Sequence, residues 1–207
     1  MFYKDFDACR HAHNPRMDRR RLLLTTLGAG GLGLVPRLVQ SAQGDWRQDL
    51  LNRDRFIKLK RPQSKETIDV CYWRHGQGWD VEGYLAVCRL MRDVKYDRQH
   101  QIDPRLLDSL YIMQQWLMAY GRPHDIQVLS GYRTPEHNAN LEGAAKNSMH
   151  LQGRAVDVHI PGMKTDVLSN MAKMIGVGGV GLYQDRGFIH VDTGPVRSWE
   201  STRRKKL

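Results

Sequence analysis

The stretch DPRLLDSLYIMQQWLMAYG, residues 103 to 121, constrains the fold of this chain more than any other. Asp103 stands where the first turn of a helix needs a side-chain acceptor. Pro104 brings a preset φ and has no N–H to leave unpaired, and Gly121 closes the run. Leu106, Leu107, Leu110, Met113, Leu117 and Met118 recur at helical spacing, which predicts one apolar face that the rest of the chain must cover. The runs around it are short and mixed. IQVLSGY (126–132), RAVDVHI (154–160), GGVGLY (178–183) and GFIHVDTG (187–194) read as strands, and TIDVCYWRHGQGW (67–79) reads as a hairpin turning on its glycines. VEGYLAVCRLMRDV (81–94), a segment from Pro135, and KTDVLSNMAKMIG (164–176) read as helices. Helices and strands interleave without the βαβ rhythm of a parallel sheet, so the expectation is an α+β domain over 66–200, with a small antiparallel sheet and flanking helices. Residues 43–65 are polar and charged and read as a linker. Residues 201–207 form a basic tail.

The N-terminal segment has a different character. Arg19, Arg20 and Arg21 precede an apolar run from Leu22 to Val35, long enough for the hydrophobic region of a signal peptide and shorter than the ~20 residues of a spanning helix. Paired arginines followed by Leu22 and Leu23 resemble the twin-arginine (Tat) export signal. Ser41 and Ala42 offer a cleavage region, and an uncleaved segment would instead tether the protein to the inner membrane. Met17 is a second plausible start, with residues 1–16 as an upstream extension. Residues 1–42 carry seven Lys/Arg and three Asp/Glu, so without them the net charge falls from +10 to +6. A basic domain suits an anionic partner. No zinc-finger spacing, aromatic RNA-binding motif or basic heptad helix accompanies the charge, and nucleic acid is not expected. Cys71 and Cys88 remain after the signal; two cysteines alone do not fix whether they pair or lie as buried thiols.

The chemistry is concentrated in SMHLQGRAVDVHIPG (148–162) and FIHVD (188–192). His150, Asp157 and His190 supply two imidazoles and a carboxylate, the donor types a catalytic zinc takes while keeping a fourth position for water. Gly153 and Ala155 leave room for the backbone to bring His150 and Asp157 together. His159 shares the strand face of Asp157.

Ser148, His150, Gly153, Ala155 and Asp157 fit S-x-H-x-x-G-x-A-x-D. That pattern is similar to the first motif of the LAS zinc peptidases, the superfamily of lysostaphin-type enzymes, D-Ala-D-Ala carboxypeptidases and the hedgehog fold. With SGYRTPEHNA upstream and GGVGLY…FIHVDTGPVRSW downstream, the chain resembles the murein endopeptidase K branch over residues 57–199. The resemblance implies a hedgehog/D-Ala-D-Ala peptidase-like domain, Zn²⁺ on His150, Asp157 and His190, peptidoglycan stem peptides as partners, and a periplasmic enzyme acting on peptide cross-links, including 3-3 diaminopimelate links. It also implies that Arg133 faces the scissile carbonyl. Tyr132 and Ser148 stand as substrate-binding candidates, and His137 and Asn138 read as helix surface. A monomer is expected.

Two departures bear on mechanism. Related enzymes place a glutamate base three residues before the last histidine, or a histidine two residues before it; here those positions are Gly187 and Phe188. Asp192 is the nearest carboxylate the strand guarantees, and it reads equally as general base or as a group orienting His190. Trimming of D-Ala-D-Ala ends, and a wall-binding module with a structural metal, are the rival readings.

Overall fold

The computed structural model describes residues 45–201 except 177. Residues 1–42, read above as an export signal, and the basic tail beyond Ser201 lie outside the described residues. The chain opens with a short helix α1 (Trp46–Leu51), whose first turn is capped by Asp45 accepting from Arg47 N. It continues through β1 (Arg55–Arg61), β2 (Glu66–Arg74), β3 (Gly78–Trp79), α2 (Val81–Leu90) and α3 (Pro104–Ala119). Next come β4 (Ile126–Ser130), α4 (Pro135–Ala139), a 3-10 turn (Met149–Gln152), β5 (Ala155–His159) and α5 (Thr165–Ile175). The chain ends with β6 (Gly179–Tyr183), a second 3-10 turn (Gln184–Arg186), β7 (Phe188–Asp192) and β8 (Arg197–Glu200).

The strands form one eight-stranded sheet in the order β3-β2-β1-β4-β5-β7-β6-β8. The α+β reading stands, but the sheet is neither small nor purely antiparallel: β1 runs parallel to β4, and β6 parallel to β8. Much of the added size comes from the region expected to be a linker, whose described part, 45–65, carries α1 and β1. The segment RFIKLKR alternates, turning Ile57 and Leu59 into the core while Lys58 and Lys60 face outward toward Asp125. Four basic residues in seven mask that alternation from a reading by composition.

The central helix is as its sequence predicts. Asp103 accepts from Arg105 N at 2.9 Å, Pro104 occupies the first turn, and Leu106, Leu107, Leu110, Met113 and Leu117 are buried. Each such side chain contributes roughly 1.5–3 kcal/mol on leaving water. Met118 departs from the expectation: in the last turn, it is half exposed. Cys71 in β2 and Cys88 in α2 are buried free thiols.

Gly153 joins this helix to the motif that carries His150. Its φ of +64° is a left-handed turn, its carbonyl accepts the Asp103 N–H at 2.9 Å, and a Cβ there would overlap the Gln101 carbonyl. Gly153→Ala is therefore expected to cost about 2 kcal/mol or more, combining backbone strain with the clash. Urea denaturation measures this, and a loss below about 0.5 kcal/mol, the range of an ordinary surface substitution, would contradict it.

Candidate metal centre

β5 and β7 pair antiparallel with Asp157 directly opposite His190, so their side chains rise from one face of the sheet at neighbouring positions. His150 enters from the 3-10 turn, where Ser148 Oγ accepts His150 N–H at 3.3 Å. On the other side of His190, Gly181 is its partner in β6 and Trp199 lies opposite in β8. A Cβ on Gly181 would collide with the Trp199 indole, so the glycine lets that ring pack 5.3 Å from the His190 ring and wall the site.

The hydrogen bonds fix the tautomers. His150 Nδ1 lies 2.6 Å from the Gly131 carbonyl, which only accepts, so Nδ1 carries the hydrogen and Nε2 the lone pair. His190 Nε2 lies 2.9 Å from Asp192 Oδ2, which places its hydrogen there and leaves Nδ1 as the donor atom. Both lone pairs meet Asp157 Oδ1: His150 Nε2 to His190 Nδ1 is 3.2 Å, His190 Nδ1 to Asp157 Oδ1 is 3.0 Å, and His150 Nε2 to Asp157 Oδ1 is 3.3 Å. Three electron-pair donors facing one another need a proton or a metal cation between them. A tetrahedral ion with bonds of about 2.0–2.1 Å separates its ligands by about 3.3 Å, so the triangle fits such an ion closely. Among the described residues this is the cluster suited to a metal.

Charge reinforces the arrangement. Burial lowers the His150 pKa despite Asp157, which favours the neutral ligand form. Burial also opposes charge on Asp157, but His150 and His190 outweigh it and hold that carboxyl well below the usual range. At His190 burial is overcome by Asp157 and Asp192, and its pKa is raised, so a proton on Nδ1 and a metal ion compete for the same place beside Asp157.

Comparison with known proteins bears on the whole arrangement. The family model described as peptidoglycan L,D-endopeptidase MepK matches residues 50–199. The peptidoglycan L,D-endopeptidase MepK of Escherichia coli strain K12 is 34% identical over 151 residues, 71% of this chain and 81% of that protein. The probable peptidoglycan L,D-endopeptidase MepK of Haemophilus influenzae is 41% identical over 115 residues, 54% of this chain and 61% of its own length. This chain belongs to the MepK family.

Around the MepK-family centre, the residues singled out from sequence take different roles. Arg133 Nη2 donates to Asp157 Oδ2 at 2.5 Å and Nε to Ser130 Oγ at 2.8 Å, so the guanidinium holds the metal-facing carboxylate from behind while lining a cleft of about 400 Å³. Tyr132 lines the same cleft. Ser148 Oγ accepts the His150 N–H and so caps the turn that presents His150. His159 Nδ1 is 2.7 Å from the Gly187 carbonyl, away from the donor triangle.

Asp192 departs furthest from one of its two expectations. Its side chain is wholly buried, and His190 Nε2, both Arg197 amino groups, Gly179 N and Gly194 N all donate to it. Burial would raise its pKa, but the bonds from His190, Arg197 and Gly194 hold it well below the carboxylate range. It lies behind His190, on the ring nitrogen remote from the donor triangle. A carboxylate so placed and so saturated orients a ligand; it is poorly disposed to take a proton from water.

Sequence reasoning missed Arg197 and Asp93. Asp93 is buried and accepts Thr134 N and Oγ1 at 2.8 and 2.9 Å, and His137 Nδ1 lies 3.0 Å from it. This fastens the loop that carries Arg133. His137 and Asn138 are accordingly structural, with Asn138 buried, and not merely helix surface. The charged pattern TPEH gave no periodic signal for this, because the partner lies 44 residues away.

Proposed function

We propose that this chain is a zinc-dependent peptidoglycan endopeptidase of the periplasm that hydrolyses peptide cross-links, the 3-3 bonds between diaminopimelate residues among them. The observation that carries the reading is the converging donor triangle of His150, Asp157 and His190, in a chain whose family relatives are named peptidoglycan L,D-endopeptidases. Two nitrogens and one carboxylate oxygen suit zinc better than harder cations, which prefer all-oxygen sets. When bound, zinc activates water near neutral pH and polarises the scissile carbonyl.

The protein's own residues supply the remainder. The Gly131 carbonyl and Asp192 hold the protons of His150 Nδ1 and His190 Nε2, keeping the opposite nitrogens free as ligands. Arg133 fixes Asp157 and offers its charge to the cleft, where it would stabilise negative charge on the carbonyl oxygen. Trp199 covers one side of His190 and limits water there. The arginine cluster at 19–21 and the +10 charge support Tat-dependent export toward an anionic wall polymer.

Digesting purified sacculi with the zinc-loaded protein and resolving the products by mass spectrometry tests the reading. Loss of 3-3 cross-linked dimers, abolished by a chelator and restored by zinc, is expected. Release of D-alanine alone would move the assignment to a carboxypeptidase, and an unchanged muropeptide profile would refute it. Cell fractionation of the full chain should recover the protein outside the cytoplasm; cytoplasmic retention would overturn the location.

A further inference from the structure

Arg61 is an anomaly in its strand. Along β1 the inward positions read Ile57, Leu59, Arg61, so a guanidinium stands where the alternation would set an apolar side chain. It is 5% exposed. Its Nη1 reaches the Leu90 carbonyl only at 3.5 Å, its Nε has no hydrogen-bond partner, and it makes no ion pair among the described residues. Asp93, Glu66 and Asp157 offset part of its charge from a distance, but no carboxylate bonds to it, and a buried guanidinium so placed is suited to a ligand that would. Burial, and next the charge of Arg92, lower its pKa to about 10, and it stays cationic at neutral pH. The neighbouring Arg92 is itself neutralised by Glu66 and Asp97.

Arg61 lines the cleft that also contains Arg133. The topology explains the meeting. β1 and β4 run parallel as neighbours, Arg61 ends β1, and Arg133 follows the end of β4, so both guanidinium groups issue from the C-terminal end of adjacent strands. Lys95 adds a third cation to the wall. The acid there, Asp93, is already engaged by Thr134 and His137. Leu129 and Leu141 provide apolar surface beside the charges. The cleft therefore has the chemistry of a subsite for an aliphatic residue bearing a carboxylate.

We infer that Arg61 binds a free carboxylate of the stem peptide, one not involved in the scissile bond, and so positions the cross-link beside the His150–Asp157–His190 centre. This rests on the peptidoglycan reading above and extends it from the reacting bond to a specificity residue. A guanidinium gripping a carboxylate through two parallel bonds fixes direction as well as position, which a bond-selective peptidase requires.

Calorimetric titration of the zinc-loaded full chain with a diaminopimelate-containing stem tripeptide, and with the same peptide carrying carboxamides, tests the inference. In the unmodified protein amidation at the recognised carboxylate should weaken binding about 10-fold or more, the range of a charge-assisted hydrogen bond. In Arg61→Met, whose apolar side chain suits the position, the acid and amide should bind alike and weakly. Arg61→Lys, which keeps the charge but not the fork, should retain a reduced acid-over-amide preference and serves as well if the Met variant fails to fold. An unchanged preference in Arg61→Met or Arg61→Lys, or no binding to the unmodified protein, would overturn the inference. Because binding is read without hydrolysis, failure of the peptidase reading shows separately, as Arg61-dependent binding with no muropeptide release.

Discussion

His150→Ala and Asp157→Ala proteins should each lose bound metal on dialysis and with it all measurable release of muropeptides. Removing one of three ligands takes away a bond to the ion itself. The loss of affinity should therefore exceed the roughly 10–100-fold typical of an outer hydrogen-bonding partner. Asp157 should be the more damaging site. Its Oδ1 faces both imidazoles and its Oδ2 anchors Arg133, so its removal leaves a part-buried guanidinium and His190 without their shared counter-charge. Asp157→Asn separates the contributions: it keeps the shape and loses the charge, so it should fold better than Asp157→Ala yet still bind metal weakly. Elemental analysis of the purified proteins decides the matter. Metal content equal to that of the unmodified protein in both alanine variants would mean that the trio is a hydrogen-bonded structural cluster.

The donor triangle was legible in the sequence because its members sit where local rules apply. His150 and Asp157 are joined by a short motif with a glycine at the turn, and His190 lies in a strand whose alternation is plain. Strand β1 was not legible, since Lys58, Lys60 and their neighbours conceal the apolar pair Ile57 and Leu59; only pairing with β2 and β4 shows that these lysines face out. Asp192 was legible as a carboxylate beside His190 but not in its role. That role depends on Gly194 two residues on, on Gly179 from the neighbouring strand β6, and on Arg197, which the parallel β6–β8 pairing sets beside Gly179. Likewise nothing in the spacing of Arg61 and Arg133 shows that they share a cleft. Both depend on long-range register, which periodicity does not report.

Asp192→Asn and Arg133→Ala should fail in different ways. If Asp192 orients His190, the amide keeps a hydrogen-bond acceptor but loses the charge that favours the Nε2–H tautomer, and zinc affinity should drop about 10–100-fold, with activity recovered at excess zinc. A general base removed by the same change would cost roughly 10²–10⁴-fold at any zinc concentration. Five N–H donors on a buried carboxylate favour the first outcome. Arg133→Ala should do two things at once, because one guanidinium touches Asp157 and lines the cleft. Zinc affinity should fall modestly as Asp157 loses its anchor, and activity should stay about 10²-fold low even when the site is saturated, the loss typical of a group that stabilises an oxyanion. Arg133→Lys should restore zinc binding better than activity, since an ammonium can pair with Asp157 but cannot do so and reach the substrate oxygen through a second edge. Muropeptide release measured against added zinc distinguishes these cases. Recovery of full activity by Arg133→Ala at saturating zinc would confine that arginine to holding Asp157, and a deficit in Asp192→Asn that zinc does not repair would return the proton-transfer role to Asp192.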